Sequence, residues 1–103
     1  MITDTVTIVP QHLVMVQDIL KACLLPTAQV YVFGSRARGT TKRAADLDLA
    51  IDAGRALTAQ ESLELWDQFE QSDLPYKVDV VDLHTIKPEF KSMIERDMIA
   101  LSF

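Results

Sequence analysis

The chain has 103 residues, 49% of them hydrophobic and 24% charged, with three Gly and four Pro; that composition fits one folded domain and excludes a repeat or low-complexity protein. A single cysteine, Cys23, excludes an internal disulfide and a Cys-based zinc site. Ten Lys+Arg against fifteen Asp+Glu leave a net charge of −5, a poor basis for sequence-independent nucleic-acid binding.

No apolar run approaches the roughly 20 residues needed to cross a bilayer. The opening MITDTVTIVPQHL lacks the basic and apolar regions of a signal peptide, so a cytoplasmic setting is expected. A first helix is predicted from about Gln11 to Leu24, opened by Pro10 and closed before Pro26. Its polar stripe is narrow (Gln17, Asp18, Lys21), and the apolar remainder either packs on the core or leaves a surface for a partner. Val30–Phe33 is β-branched and aromatic and ends at Gly34, a short strand entering a turn. Ser35 to Gly39 has room for a single helical turn.

Asp46 to Ile51 alternates acidic and apolar residues, the period of a strand. Thr58 with Glu61 three residues on forms a capping box, opening a helix that ends near Gln71 and carries Leu63, Trp66 and Phe69 on one face. Ser72–Pro75 is a turn, and Lys77–Asp82 a third strand. Pro88 opens a last helix with Phe90, Met93 and Ile94 inward, and Met98–Leu101 is a final short strand. The order α-β-(α)-β-α-β-α describes an α/β (α+β) fold with a small sheet, as one domain over residues 1–103.

The chemistry lies in Phe33-Gly34-Ser35-Arg36-Ala37-Arg38-Gly39 and the Asp46-Leu47-Asp48 that follows. Residues two apart on a strand share a face, so Asp46 and Asp48 present two carboxylates together. Their repulsion is relieved by a divalent cation, and Mg²⁺ characteristically takes one or two carboxylates plus substrate phosphates. Asp79, in an apolar stretch of the third strand, supplies a third acid. Three convergent acids can hold two metals, with Asp79 either a general base or a ligand on the nucleophile side. Gly34-Ser35 lets backbone N–H groups approach a phosphate, and Arg36 and Arg38 are candidate phosphate clamps. With Lys42 and Arg43 they form a local cation cluster in an acidic chain, which points to a small anionic ligand. Taken alone, a Gly-Ser pair is common and an Asp-x-Asp strand is usually a solvated face; the joint arrangement is what discriminates.

Gly34-Ser35, ten residues, then Asp46-x-Asp48, with the hydrophobic strand before them and Val78-Asp79-Val80 after, resembles the DNA polymerase β-like nucleotidyltransferase superfamily. Within it, the chain looks like the minimal nucleotidyltransferases that pair with HEPN-domain proteins, a likeness extending through nearly the whole sequence. The resemblance implies a small mixed sheet flanked by about four helices. It implies Mg²⁺, in two sites, and ATP, with Asp46, Asp48 and Asp79 as catalytic metal ligands and Gly34, Ser35, Arg36 and Arg38 at the nucleotide. It also implies antitoxin action, in which AMP is transferred to a tyrosine of a HEPN toxin within a hetero-oligomer. Ala45 departs from the Ser or Thr usual before the first acid, which removes a hydroxyl but no metal ligand. A small-molecule nucleotidyltransferase with a partner-supplied acceptor site and a binding-only antitoxin are the alternatives. On either transferase reading the acceptor is expected to dock from outside the 103 residues, or a partner to complete the site.

Other residues read as structural: His12 and His84 as surface or capping groups, Asp52 as a turn residue, Asp82 on the opposite strand face from Asp79. Trp66 and Phe69 read as core and Cys23 as a small buried hydrophobe.

Overall fold

The computed structural model describes residues 8–39 and 45–103; Lys42 and Arg43 of the predicted cation cluster lie outside them. In chain order the elements are α1 (Pro10–Cys23), β1 (Gln29–Phe33), α2 (Ser35–Arg38), β2 (Leu47–Asp52), α3 (Ala59–Glu70), β3 (Val78–Asp82), α4 (Pro88–Asp97) and β4 (Ile99–Leu101). Each predicted element is present, with ends moved by a residue or two. The strands form one sheet in the order β3-β2-β1-β4. β1 runs antiparallel to β2 and β4, while β2 and β3 are parallel, giving the expected mixed sheet. The crossover from β2 to β3 runs through α3, as a parallel connection requires.

The pleat divides the sheet into two chemically distinct faces. Val30, Val32, Leu47, Leu49 and Ile51 pack with Val16 and Leu20 of α1 and with Leu65 and Phe69 of α3, forming the main core. The opposite face carries a smaller cluster in which Ala50 and Leu83 meet Ile94 of α4. Among the described residues one short helix packs on that face, and Asp48 and Asp79 there stay partly exposed. No described helix is long and apolar enough to cross a membrane.

Thr58 caps α3 as the sequence indicates: its hydroxyl accepts from Glu61 N at 3.1 Å, and Glu61 Oε1 accepts from Thr58 N at 2.8 Å. The inward face of α3 differs from expectation. Leu65 and Phe69 are buried, whereas Leu63 and Trp66 are 64% and 57% exposed. Positions three apart fall short of a full 3.6-residue turn, so the series Leu63, Trp66, Phe69 drifts around the helix. The i, i+4 pair Leu65/Phe69 stays nearer one line, and that line meets α1 and the sheet. On α4, likewise, Ile94 is buried but Met93 is 60% exposed and Phe90 40%; Phe90 meets Phe33 edge-on at 6.4 Å. Most of the wide apolar face of α1 is absorbed internally, since Leu13, Ile19 and Cys23 pack against the core and Val14 is left exposed.

Candidate active site

Three strand positions build the site. Antiparallel pairing sets Phe33 opposite Asp48, and parallel pairing sets Asp48 beside Asp79. Asp48 and Asp79 therefore stand on neighbouring strands and project from the same face, the one α4 covers in part. Asp46, just before β2, is exposed. The Asp48 carboxyl is raised above its ordinary range, first by partial burial and then by the charges of Asp79 and Asp46; Arg38 acts in the opposite direction. A carboxylate in this setting is held against the repulsion of two others.

Gly34 closes the other side. Its φ of 76° and ψ of −154° lie in a region that is essentially open to Gly alone. A Cβ built there would overlap Asp48 Oδ2. The glycine thus allows β1 to enter α2 sharply and lets Asp48 lie flat against the backbone. The Gly34 carbonyl accepts from Ala37 N at 3.1 Å and Arg38 N at 3.2 Å, which closes the single helical turn, and Gly39 ends it with a φ of 74°.

The two arginines occupy different settings. Arg38 is half exposed, 3.6 Å from Asp97 of α4, and close enough to Asp48 to influence its charge. Arg36 is only 4% exposed. Its Nε and Nη2 both donate to the Ala45 carbonyl, at 3.1 and 2.8 Å, and its guanidinium lies 4.0 Å from the centre of the Tyr76 ring. Tyr76 in turn stands edge-on to His12 at 5.4 Å, with Oη 3.2 Å from His12 Nδ1. Tyr76 and the Ala45 carbonyl carry no local motif, so spacing along the chain does not mark them. Pro75 and the aromatic ring itself, in Leu74-Pro75-Tyr76, are the only local cue.

Asp79 Oδ1 is 3.4 Å from Lys77 Nζ. Among the described residues no three His, Cys or acidic side chains stand together as a preformed cation cage. The residues nonetheless suit a divalent cation: oxygen donors on one open face, mutual repulsion at Asp48, and a glycine cleared of any side chain beside it. A cleft of about 1240 Å³ opens between α3 and β3, with Leu63, Trp66, Tyr76 and Asp79 among its walls.

Asp52 and Asp82 are structural, as read from the sequence. Asp52 Oδ1 accepts from Gly54 N at 2.9 Å and contacts His84 Nε2 at 2.6 Å. Its carboxyl is held below the ordinary range first by His84 and then by that backbone N–H. Asp82 accepts from Leu57 N at 2.7 Å and His84 N at 2.9 Å, tying the entrance of α3 to the end of β3.

Comparison with known proteins agrees with this architecture. Residues 17–102 match the polymerase beta nucleotidyltransferase family. The chain is 35% identical over 91 residues to the probable protein adenylyltransferase MntA of Haemophilus influenzae, covering 88% of this chain and 79% of that protein. It is similar to a crystallised toxin–antitoxin with AMP-PNP, at TM-score 0.71 and 25% identity, over 90% of this chain and 73% of the other. A structure from Shewanella oneidensis shares the fold at TM-score 0.67 and 22% identity, over 89% of this chain and 70% of its own.

Proposed function

The chain belongs to the polymerase beta nucleotidyltransferase family, and on that premise we propose that it transfers AMP from ATP to a protein hydroxyl, that of a tyrosine on a HEPN-domain toxin. The observation that carries this reading is the placement of Asp48, between the charges of Asp46 and Asp79 and flat against Gly34. The relative named an adenylyltransferase and the toxin–antitoxin neighbour with AMP-PNP support the donor and the kind of partner.

Asp46 and Asp48 would hold Mg²⁺, with Asp79 beside them. When bound, the cation supplies the positive charge that draws the triphosphate to the carboxylates and makes the α-phosphorus electrophilic. Gly34 and Ser35 lie against the phosphates, where a side chain on residue 34 would intrude. Arg38, exposed near Asp48, adds charge to the leaving pyrophosphate. The tyrosine oxygen attacks the α-phosphorus, the bond to pyrophosphate breaks, and the phenolic proton passes to Asp79. The acceptor enters from outside, and the cleft beside Asp79 offers it an approach.

ATP labelled at the α or the γ phosphate distinguishes this chemistry from kinase chemistry. Incubation with Mg²⁺ and the partner transfers the α label to the partner and releases the γ label in pyrophosphate. Label appearing only on a small metabolite favours the small-molecule alternative and overturns the protein-acceptor reading.

A further inference from the structure

The two backbone groups flanking Asp46 are both held from the same place. The carbonyl on its N-terminal side, that of Ala45, receives the paired donors of Arg36. The N–H on its C-terminal side, that of Leu47, donates to the carbonyl of Lys77 at 2.9 Å. Arg36 lies on the ring of Tyr76, the residue next to Lys77. Tyr76 is itself steadied by His12 from α1. One junction, where the chain enters β3, therefore fixes the backbone immediately before and after the first acid.

From this geometry we infer that Arg36 and Tyr76 are a positioning pair that sets the carboxylates of Asp46 and Asp48, and that Arg36 does not act as a phosphate contact. The inference rests on the nucleotidyltransferase reading for its effect on turnover, but not for its effect on the backbone. A guanidinium suits the task because its planar fork delivers two donors to one oxygen while its face stacks on an aromatic ring. A buried cation is costly to move, so the carbonyl it grips is held in place. Lysine has the charge but neither the fork nor the flat face.

The test uses Arg36→Lys, Arg36→Gln, Tyr76→Leu and Tyr76→Phe in the full chain, each followed by amide hydrogen exchange at Leu47 and by steady-state AMP transfer at varied ATP. Tyr76→Phe keeps the ring face and loses only the hydroxyl's contact with His12 Nδ1 at 3.2 Å, so both readouts should move much less than in Tyr76→Leu. Tyr76→Leu, Arg36→Lys and Arg36→Gln should speed exchange at Leu47. Each should also lower kcat, on the order of a hundredfold for a displacement near 1 Å, with the KM for ATP little changed. A raised KM for ATP in the Arg36 variants, partial rescue by lysine, and a Tyr76→Leu variant like the parent would overturn the inference and make Arg36 a phosphate contact. Faster exchange at Leu47 in a protein whose parent transfers no AMP would uphold the positioning role and overturn the catalytic reading instead. Unchanged exchange at Leu47 in all four variants would overturn the positioning role whatever the turnover.

Discussion

The carboxylate of Asp48 lies against the backbone of Gly34 so closely that a Cβ on residue 34 would overlap Asp48 Oδ2. Gly34→Ala therefore meets two obstacles, the collision and a φ of 76° with a ψ of −154°. The strained backbone alone costs about 1–3 kcal/mol. The variant should remain folded with a lower unfolding midpoint, while kcat falls on the order of a hundredfold as Asp48 is displaced. Thermal unfolding and AMP transfer measured on the same preparation test both halves.

Asp48 sits where its charge is unwelcome without a cation. Its folded-state pKa is raised by burial and by Asp79 and Asp46, so ionisation works against the fold at pH above the ordinary carboxylate range. That penalty is relieved as pH falls through the raised value. Asp48→Asn mimics the relief: without metal it should raise the melting temperature by a few degrees at neutral pH. Added Mg²⁺ should stabilise the parent and leave the variant unmoved. Losing several kcal/mol of cation-assisted stabilisation should reduce turnover by about a thousandfold. A variant less stable than the metal-free parent would contradict this account of the electrostatics.

The start of α3 is held by an exposed network that titrates in acid. Glu61 is lowered to about 2, first by its hydrogen bonds to Arg55 and then by the Thr58 N–H. Because the folded value is depressed, the stabilisation is fully present above the ordinary glutamate range. It is lost as pH falls from about 4.5 toward 2. Thr58→Ala removes the hydroxyl that accepts from Glu61 N, leaving the backbone half of the box, and should lower stability by about 1 kcal/mol. Denaturant unfolding at neutral and acidic pH measures both effects.

The two aromatics of α3 should behave oppositely. Phe69 is 7% exposed and Trp66 57%. Phe69→Ala should cost about 3–5 kcal/mol, and Trp66→Ala should stay within about 0.5 kcal/mol of the parent. If Trp66 contributes to acceptor docking, its substitution raises the KM for the protein acceptor without altering the unfolding midpoint.

Local chemistry made much of this fold legible. β-branched runs, Pro10 and Pro88 at helix starts, and the Thr58/Glu61 box each act over a few residues, and each appeared where expected. Gly34, Ser35, Asp46, Asp48 and Asp79 form a pattern visible in the sequence, and the sheet brings Gly34, Asp48 and Asp79 together while Asp46 lies just before β2. Other features depend on which elements meet. The contact between Gly34 and Asp48 follows from the antiparallel register of β1 on β2, which spacing does not reveal. The outward turn of Trp66 depends on where α1 lies across α3. Arg36 shared a short basic run with Arg38, and only the fold separates them: one is buried on Tyr76 and the Ala45 carbonyl, the other is exposed near Asp48. The pairing of His84 with Asp52 spans 32 residues of sequence and joins the turn after β3 to the end of β2, with no shared motif.

The proposed AMP transfer from ATP to a protein partner at Asp46 and Asp48 is tested most directly by the intact mass of that partner. Co-expressed with the parent chain, the proposed HEPN-domain partner should gain the mass of one or more AMP units, localised by fragmentation to tyrosine. Co-expressed with the Asp46→Asn/Asp48→Asn variant, it should remain unmodified and toxic. A partner that is neutralised equally well by both chains, with no added mass in either case, would contradict the account and leave this protein a binding-only antitoxin.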